Sequence, residues 1–408
     1  MKKKINKYLN GKGVDVSLKK VLKEKNIDHF YQEPSGLYSL KDKYKIESLN
    51  FIYSKDLINA TKYYRILLKD WFNFIKVGGY LIIDFKENSL LDITKLRIEI
   101  ITLFKEKAVI VDRIGNNILI VQKKKTIKIP KDNINKWTIG IITNGKRNDV
   151  VEKFITSVRK QKIPEYEIIV CGTYFNREEK DFRYIPFSQH DDLGWITKKK
   201  NIICENAKYE NIMILHDRFV LDNNWFKGMK KYGNQFEILS CPQITLDGIR
   251  AGDWMAMPGA LYPLRAYYRL YLLDYNDWDE NVFVVAGPII FKKSVWKEIK
   301  WDETQFWSLK AIEDAIFAYE ASLKGFVTRF NPHSKLLSLF WRNAVYPHIR
   351  KDKLKLGKPY GSEVRRSFWF LMRVLAKIGL AEKMGNLWLK LESKFILLKK
   401  FRDIVGRQ

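Results

Sequence analysis

Hydrophobic and polar positions along this chain follow two rhythms. The first is the short, unbroken apolar run that a strand buried on both faces requires. It recurs in Leu49-Asn50-Phe51-Ile52-Tyr53, Tyr80-Leu81-Ile82-Ile83-Asp84-Phe85, Thr138-Ile139-Gly140-Ile141-Ile142, Glu167-Ile168-Ile169-Val170 and Ile212-Met213-Ile214-Leu215. The second is helical: Tyr64, Leu67, Leu68, Trp71, Phe72 and Ile75 share one face of a helix that Val77-Gly78-Gly79 should end. Ile93 to Phe104 predicts another helix, and Val150, Phe154, Val158 and Gln161 a third. Gly13-Val14-Asp15-Val16 reads as an early strand, and Lys107–Asp112 with Ile118–Gln122 as a hairpin around Gly115-Asn116-Asn117. Strands alternating with helices predict an α/β fold with doubly wound sheets.

The rhythm lapses at KKKTIKIPKDNINK, residues 123–136, which is charged and carries Pro130. The expected organisation is a Rossmann-like domain over 1–125, a linker over 126–136, a second α/β domain over 137–345 and a basic tail over 346–408. In the tail, Phe368, Leu371, Met372 and Leu375 share one helical face and Arg366, Arg373 and Lys377 another. Leu387, Leu391, Phe395 and Leu398 repeat the pattern opposite Lys383, Lys390 and Lys394. Such cationic amphipathic helices suit a membrane interface, where each basic residue adds about 1 kcal/mol near anionic lipid. Packing against the other domains is the competing reading.

Composition sharpens this. A formal charge of +28 over 408 residues calls for polyanionic partners: nucleic acid, anionic lipid or phosphate-bearing substrates. No nucleic-acid recognition motif is present, so nucleic acid is not an expected partner. Cys171, Cys204 and Cys241 are too far apart for a disulfide framework or zinc pattern, which fits a reducing compartment. The opening MKKKINKYLNGKG lacks the apolar run of a signal peptide. No run of about 18 apolar residues predicts a spanning helix. A cytoplasmic protein is expected, with a peripheral seat on the inner face of the cytoplasmic membrane open to it.

Candidate chemistry gathers where runs stop. Ile212–Leu215 ends at His216-Asp217-Arg218, and ligands in open α/β sheets bind past the carboxyl ends of strands. Asp217 and His216 can ligate a cation, or Asp217 can simply turn the chain. Glu313-Asp314 opens a helix with Ile312, Ile316, Tyr319 and Leu323 as its predicted apolar face. Its N-terminus favours an ionised carboxylate, for capping or for catalysis. Ile249–Trp278 is aromatic and basic, suited to stacking on sugars, to a lid or to a dimer surface.

The first domain resembles class I S-adenosylmethionine-dependent methyltransferases, which read "GVDVGCG" early and "LKPGGYLII" before a late strand. Here the late motif stands as FIKVGGYLIIDF, but the early one is GVDVSLKK. Ser17-Leu18-Lys19-Lys20 puts side chains where the family's glycines let the backbone approach the cofactor. The expectation is a methyltransferase-like domain that no longer binds S-adenosylmethionine; the alternative is a bifunctional methyltransferase–glycosyltransferase.

The second domain, from Trp137 to His333, resembles family 2 glycosyltransferases of the GT-A fold. IGIITNGKRNDVVEKFITSVRKQKIPEYEIIV places Thr143, Arg147, Ser157 and Gln161 on the opening motif, and GWITKKKNIICENAKYENIMIL places Gly194, Lys200 and Asn201 on the next. His216-Asp217-Arg218 stands on the Asp-x-Asp type motif, and AIEDAIFAYEASLKGF sets Glu313-Asp314 on the acidic pair and Gly325 on the terminal glycine. The resemblance implies a nucleotide-diphosphate-sugar donor, a saccharide or lipid-linked acceptor and a divalent cation, Mn²⁺ or Mg²⁺. It implies Asp314, with Glu313 beside it, as catalytic base. Thr143, Asn144, Arg147, Lys200, Asn201 and Arg218 are implied as donor ligands, and Asp217, His216 and His333 as metal ligands. Lys198 and Lys199 are expected to be solvated. Two departures stand out: Arg218 replaces a second carboxylate, and Cys171-Gly172-Thr173 replaces the family's "DDGS". A non-enzymatic polyanion binder remains the alternative of another class.

Overall fold

The computed structural model describes residues 2–339 apart from 25–26, 31–39, 41–42, 89, 128–131, 190, 192–194, 247, 249, 257–270, 285–286 and 304–312. The predicted tail over 346–408, Gly194, Ile312 and parts of the linker and of the aromatic insert lie outside the described residues. The chain is α/β and falls into two compact units: Met1–Lys131 with Asn276–Glu280 and Glu320–Arg329, and Asp132–Tyr275 with Asn281–Tyr319 and Phe330–Gln408.

The first unit opens with a helical turn, α1 (Lys2–Ile5), followed by β1 (Gly13–Asp15), β2 (Ile27–His29), β3 (Leu49–Lys55) and α2 (Tyr64–Phe74). Next come β4 (Ile75–Asp84), α3 (Ile93–Phe104), β5 (Ala108–Ile114) and β6 (Ile118–Lys123). They make a six-stranded sheet in the order β2-β1-β3-β4-β6-β5, in which β2, β1, β3 and β4 are parallel and the hairpin runs back against β4. Helix α2 buries Leu67, Leu68, Trp71 and Phe72 completely, as its periodicity predicts. It stops at Phe74, before the predicted glycine brake. The buried ammonium of Lys123 donates to the carbonyls of Phe72 and Ile75, satisfying the helix end and releasing the chain into β4. Gly78 and Gly79 instead sit inside β4, where the register against β3 shifts.

Two late segments that the sequence assigns to the second domain belong here. Trp278 is buried edge-on against Tyr64, Arg329 pairs with Asp70 at 2.7 Å, and Gly325 lies so close to the Thr102 carbonyl that a side chain could not fit.

The second unit begins with β7 (Lys136–Thr143), α4 (Asn148–Arg159), β8 (Glu165–Gly172), β9 (Phe182–Pro186), α5 (Ile196–Asn206) and β10 (Asn211–His216). It continues through β11 (Phe219–Leu221), α6 (Trp225–Tyr232), β12 (Ile238–Ser240), β13 (Gln243–Thr245), β14 (Met255–Ala256), β15 (Tyr271–Leu272) and β16 (Val282–Phe283). Last come β17 (Ile289–Lys292), α7 (Lys293–Glu298), α8 (Glu313–Leu323), β18 (Thr328–Phe330) and β19 (Leu336–Ser338).

The main sheet has the order β18-β12-β17-β10-β7-β8-β9, and smaller sheets pair β11-β19-β13 and β15-β14-β16. Strands β10, β7, β8 and β9 are parallel. Their inward runs bury Ile139, Ile141, Ile168, Val170, Met213 and Leu215 against Val151, Phe154 and Val158 of α4 and Trp225 of α6. Each such side chain contributes about 1.5–3 kcal/mol by leaving water. Gly140 admits α5, since a Cβ there would stand 2.6 Å from Ile203. The small sheets had no signal in the sequence, because strands this short carry no measurable period and pair with distant segments.

Candidate functional site

The site grows from a change of direction in the main sheet. From β7 the chain winds outward through β8 and β9, whereas β10 returns to the opposite side of β7. Such a switch point leaves a crevice beyond the carboxyl ends of the two strands. Register sets His216 opposite Ile142, so the next residue on each strand, Asp217 and Thr143, meet at that edge. The Thr143 hydroxyl donates to Asp217 Oδ2 at 2.9 Å and accepts from the Gly145 amide at 3.1 Å. Asp217 Oδ1 faces Arg147, the residue that precedes α4, at 3.8 Å. Asn144 accepts from the Lys146 amide within the same turn. Gly172 closes the rim at φ +139°, its Cα against the Thr143 carbonyl.

Asp217 is flanked by His216 and Arg218. Burial, then Arg218, Lys200, Arg147 and Lys199, press the His216 pKa well below the ordinary histidine value, so the ring is neutral near pH 7. Its Nε2 is buried without a partner among the described residues. Arg218 lies over the Phe219 ring, 5.2 Å from its centre.

Helix α5 supplies buried lysines to the same sheet end, where the sequence predicted Lys198 and Lys199 to be solvated. Lys199 is buried: it donates to the Thr143 carbonyl at 2.7 Å and pairs with Asp191, which accepts from the Thr173 hydroxyl at 2.9 Å. Lys198 pairs with Glu303 at 2.7 Å. A lysine run reads as a solvated face only until tertiary structure brings carboxylates to it.

Lys200 is completely enclosed and donates to Asp314 Oδ1 at 2.7 Å, across 114 residues of chain. Glu313 Oε1 is 3.8 Å away and the Trp301 ring 5.3 Å. Burial opposes the ammonium, but Asp314 and Glu313 outweigh it and hold the Lys200 pKa above the ordinary lysine value. Burial, then Asp314, push the Glu313 carboxyl up to about 8. Asp314 Oδ2 and Glu313 Oε1 are buried acceptors without hydrogen-bond partners among the described residues. An unsatisfied buried acceptor costs about 1–3 kcal/mol, a debt that a ligand's hydroxyl can remove.

Thr143, Arg147 and Asp217 are joined, Lys200 is joined to Asp314, and Arg218 and Lys200 both act on His216 and on Glu313. Asn201 is turned to packing: its amide donates to the Trp301 carbonyl and Glu303, and its oxygen accepts from Trp296 and the Trp301 amide. Ser157 and Gln161 likewise fasten α4 to Leu221, Asp222 and Phe226.

His333, the third predicted metal ligand, sits beside α6, where Lys231 acts on its ring. The pairing of β11 and β19 puts Lys335 beside Asp222, and the His333 carbonyl against Gly228 of α6. Leu339, whose amide donates to the Arg218 carbonyl, lies six residues further on. In α8 the predicted inward face also shifts. Ile316 is buried, but Tyr319 and Leu323 are exposed, and Phe317 turns inward to stack on Trp301 at 4.3 Å. Asp191 and Lys199 are the site residues that sequence reasoning missed, and nothing in the local sequence marks either one.

No family model matches the chain, and no curated protein does. Among solved structures, S. aureus TarS 1–349 is 15% identical over 59% of this chain and 64% of that one, with a TM-score of 0.34. The same fragment in complex with UDP-GlcNAc is 14% identical over 52% and 61%, with a TM-score of 0.35. A further TarS structure is 14% identical over 50% of this chain and 37% of its own, with a TM-score of 0.35. The chain thus spans less than two thirds of these proteins, and a functional reading rests on the site itself.

Proposed function

We propose that this protein is an inverting glycosyltransferase that moves a sugar from a nucleoside-diphosphate donor to a saccharide or lipid-linked acceptor. The observation that carries this reading is the pairing of residues from segments remote in sequence, Asp217 with Thr143 and Arg147 and Lys200 with Asp314, with Lys200 acting on His216 and Arg218 on Glu313. In this reading Asp314 takes the proton of the acceptor hydroxyl as its oxygen attacks the anomeric carbon. The bond to the diphosphate breaks on the opposite side, and configuration inverts.

A divalent cation finds a poor donor set here. Asp217 gives one oxygen to Thr143 and turns the other to Arg147, Arg218 stands in place of a second carboxylate, and the buried Nε2 of His216 is the predicted donor left beside it. Among the described residues no three His, Cys, Asp or Glu side chains gather into a cation site. The leaving diphosphate is then stabilised by the Arg147 and Arg218 guanidiniums, whose planar donors match phosphate oxygens.

In the first unit, we read the parallel sheet with its reversed hairpin as a methyltransferase-like domain that does not take S-adenosylmethionine. What supports this is Asp15 at the end of β1, which accepts from the amides of Ser17, Val21 and Leu22 and so folds the loop over the strand end. A basic chain suits a lipid-linked acceptor at a membrane surface, in the assembly of a surface glycan such as capsule or lipopolysaccharide.

A panel of nucleotide sugars tests the reading, scored by nucleotide release and thermal stabilisation. One donor should be turned over, with kcat lowered ~10²–10⁴-fold in Asp314→Asn and activity kept after chelation by EDTA. Failure of every nucleotide sugar to bind sinks it. S-adenosylmethionine should give no heat in calorimetry; binding would favour the bifunctional alternative.

A further inference from the structure

Lys200 stands on the motif position expected to meet the donor's diphosphate, yet its ammonium is fully enclosed and directed to Asp314 Oδ1 at 2.7 Å. The carboxylate's other oxygen, Oδ2, is buried with no partner among the described residues. Among the described residues Glu313 lies 3.8 Å from the ammonium, Cys204 and His216 interact with Lys200, and Arg218 acts on Glu313. With Glu313 protonated near neutral pH, the ammonium is left to balance one carboxylate, that of Asp314.

We propose that Lys200 is a positioning residue: it grips Asp314 through Oδ1 so that Oδ2 is the oxygen that receives the acceptor's proton. This rests on the transferase reading above. In the step, the acceptor O–H proton passes to Oδ2 and its electron pair forms the bond to the anomeric carbon. The pair of the breaking C–O bond leaves with the diphosphate, and Lys200 keeps its proton throughout.

The test compares Lys200→Met, Lys200→Arg, Asp314→Asn and Lys200→Met/Asp314→Asn. In Lys200→Met, kcat should fall by roughly 30-fold or more, with the acid limb of the kcat–pH profile displaced to higher pH, because a cation that favours the carboxylate has gone. UDP and GDP affinities, measured calorimetrically, should stay within about threefold of wild type, since an ammonium spent on Asp314 makes no phosphate contact. Lys200→Arg should recover part of kcat, and the double variant should be no slower than Asp314→Asn alone.

An unmoved acid limb, a tenfold loss of nucleotide affinity at about constant kcat, or a further loss in the Asp314→Asn background overturns the proposal. Should Lys200→Met fail to fold, Lys200→Arg and the double variant, which removes both charges together, carry the same comparisons. Should the wild type turn over no nucleotide sugar, the transferase reading fails by itself. The grip is then read from stability: each single variant should melt lower than the double one, and simple additivity overturns the proposal.

Discussion

Glu313 and Asp314 are adjacent acids with different fates. Asp314 takes the Lys200 ammonium at 2.7 Å, while Glu313, 3.8 Å from it and equally buried, is pushed up to about 8 by burial and by its neighbour. The sign of the pH effect follows. In the unfolded chain Glu313 ionises near 4.5, but in the native protein it holds its proton until about 8. Folding therefore loses stability as pH rises between those values. Glu313→Gln keeps the shape without the titration, so its melting temperature should gain steadily on wild type as pH rises from about 5 to about 8. A constant difference across that range excludes a raised Glu313 pKa. At this scale the positions of Asp217 after a strand and of Asp314 at a helix start were legible, although a turn or a cap uses the same residue types. Lys199 was not, because its partners, the Thr143 carbonyl and Asp191, come from other elements.

At the scale of elements, the switch between β7 and β10 does most to position the site, and close packing keeps it shut. Gly172 sits at φ +139°, and a Cβ there would stand 1.9 Å from the Thr143 carbonyl. Gly172→Ala should destabilise the protein by roughly 2–4 kcal/mol through backbone strain and overpacking. Chemical denaturation measures this, and a change below about 0.5 kcal/mol contradicts the close approach. The long strands and helices α2 and α3 were legible from period alone. The end of α2 was not, since a buried lysine 51 residues away along the chain terminates it ahead of the glycines. Nor was the inward face of α8, where Trp301 selects Phe317 over Tyr319.

At the scale of the whole molecule, the charge of +28 is the dominant fact. Vesicles containing anionic lipid should bind the protein at low salt and release it as ionic strength rises towards about 1 M, where the Debye length shrinks to ~3 Å. Sedimentation with neutral and anionic vesicles reports this, and equal binding to both argues against an electrostatic seat. No helix among the described residues is long and apolar enough to cross a membrane.

The sequence alone determined the alternation of strands and helices and the residue types at the strand and helix ends, because period, turn chemistry and charge are local properties. Only the tertiary structure decided that Trp278 and Arg329 join the first unit, that Asp217 answers to Thr143 and that Lys200 answers to Asp314. Those pairings depend on sheet order and register, which bring together residues that no local pattern connects.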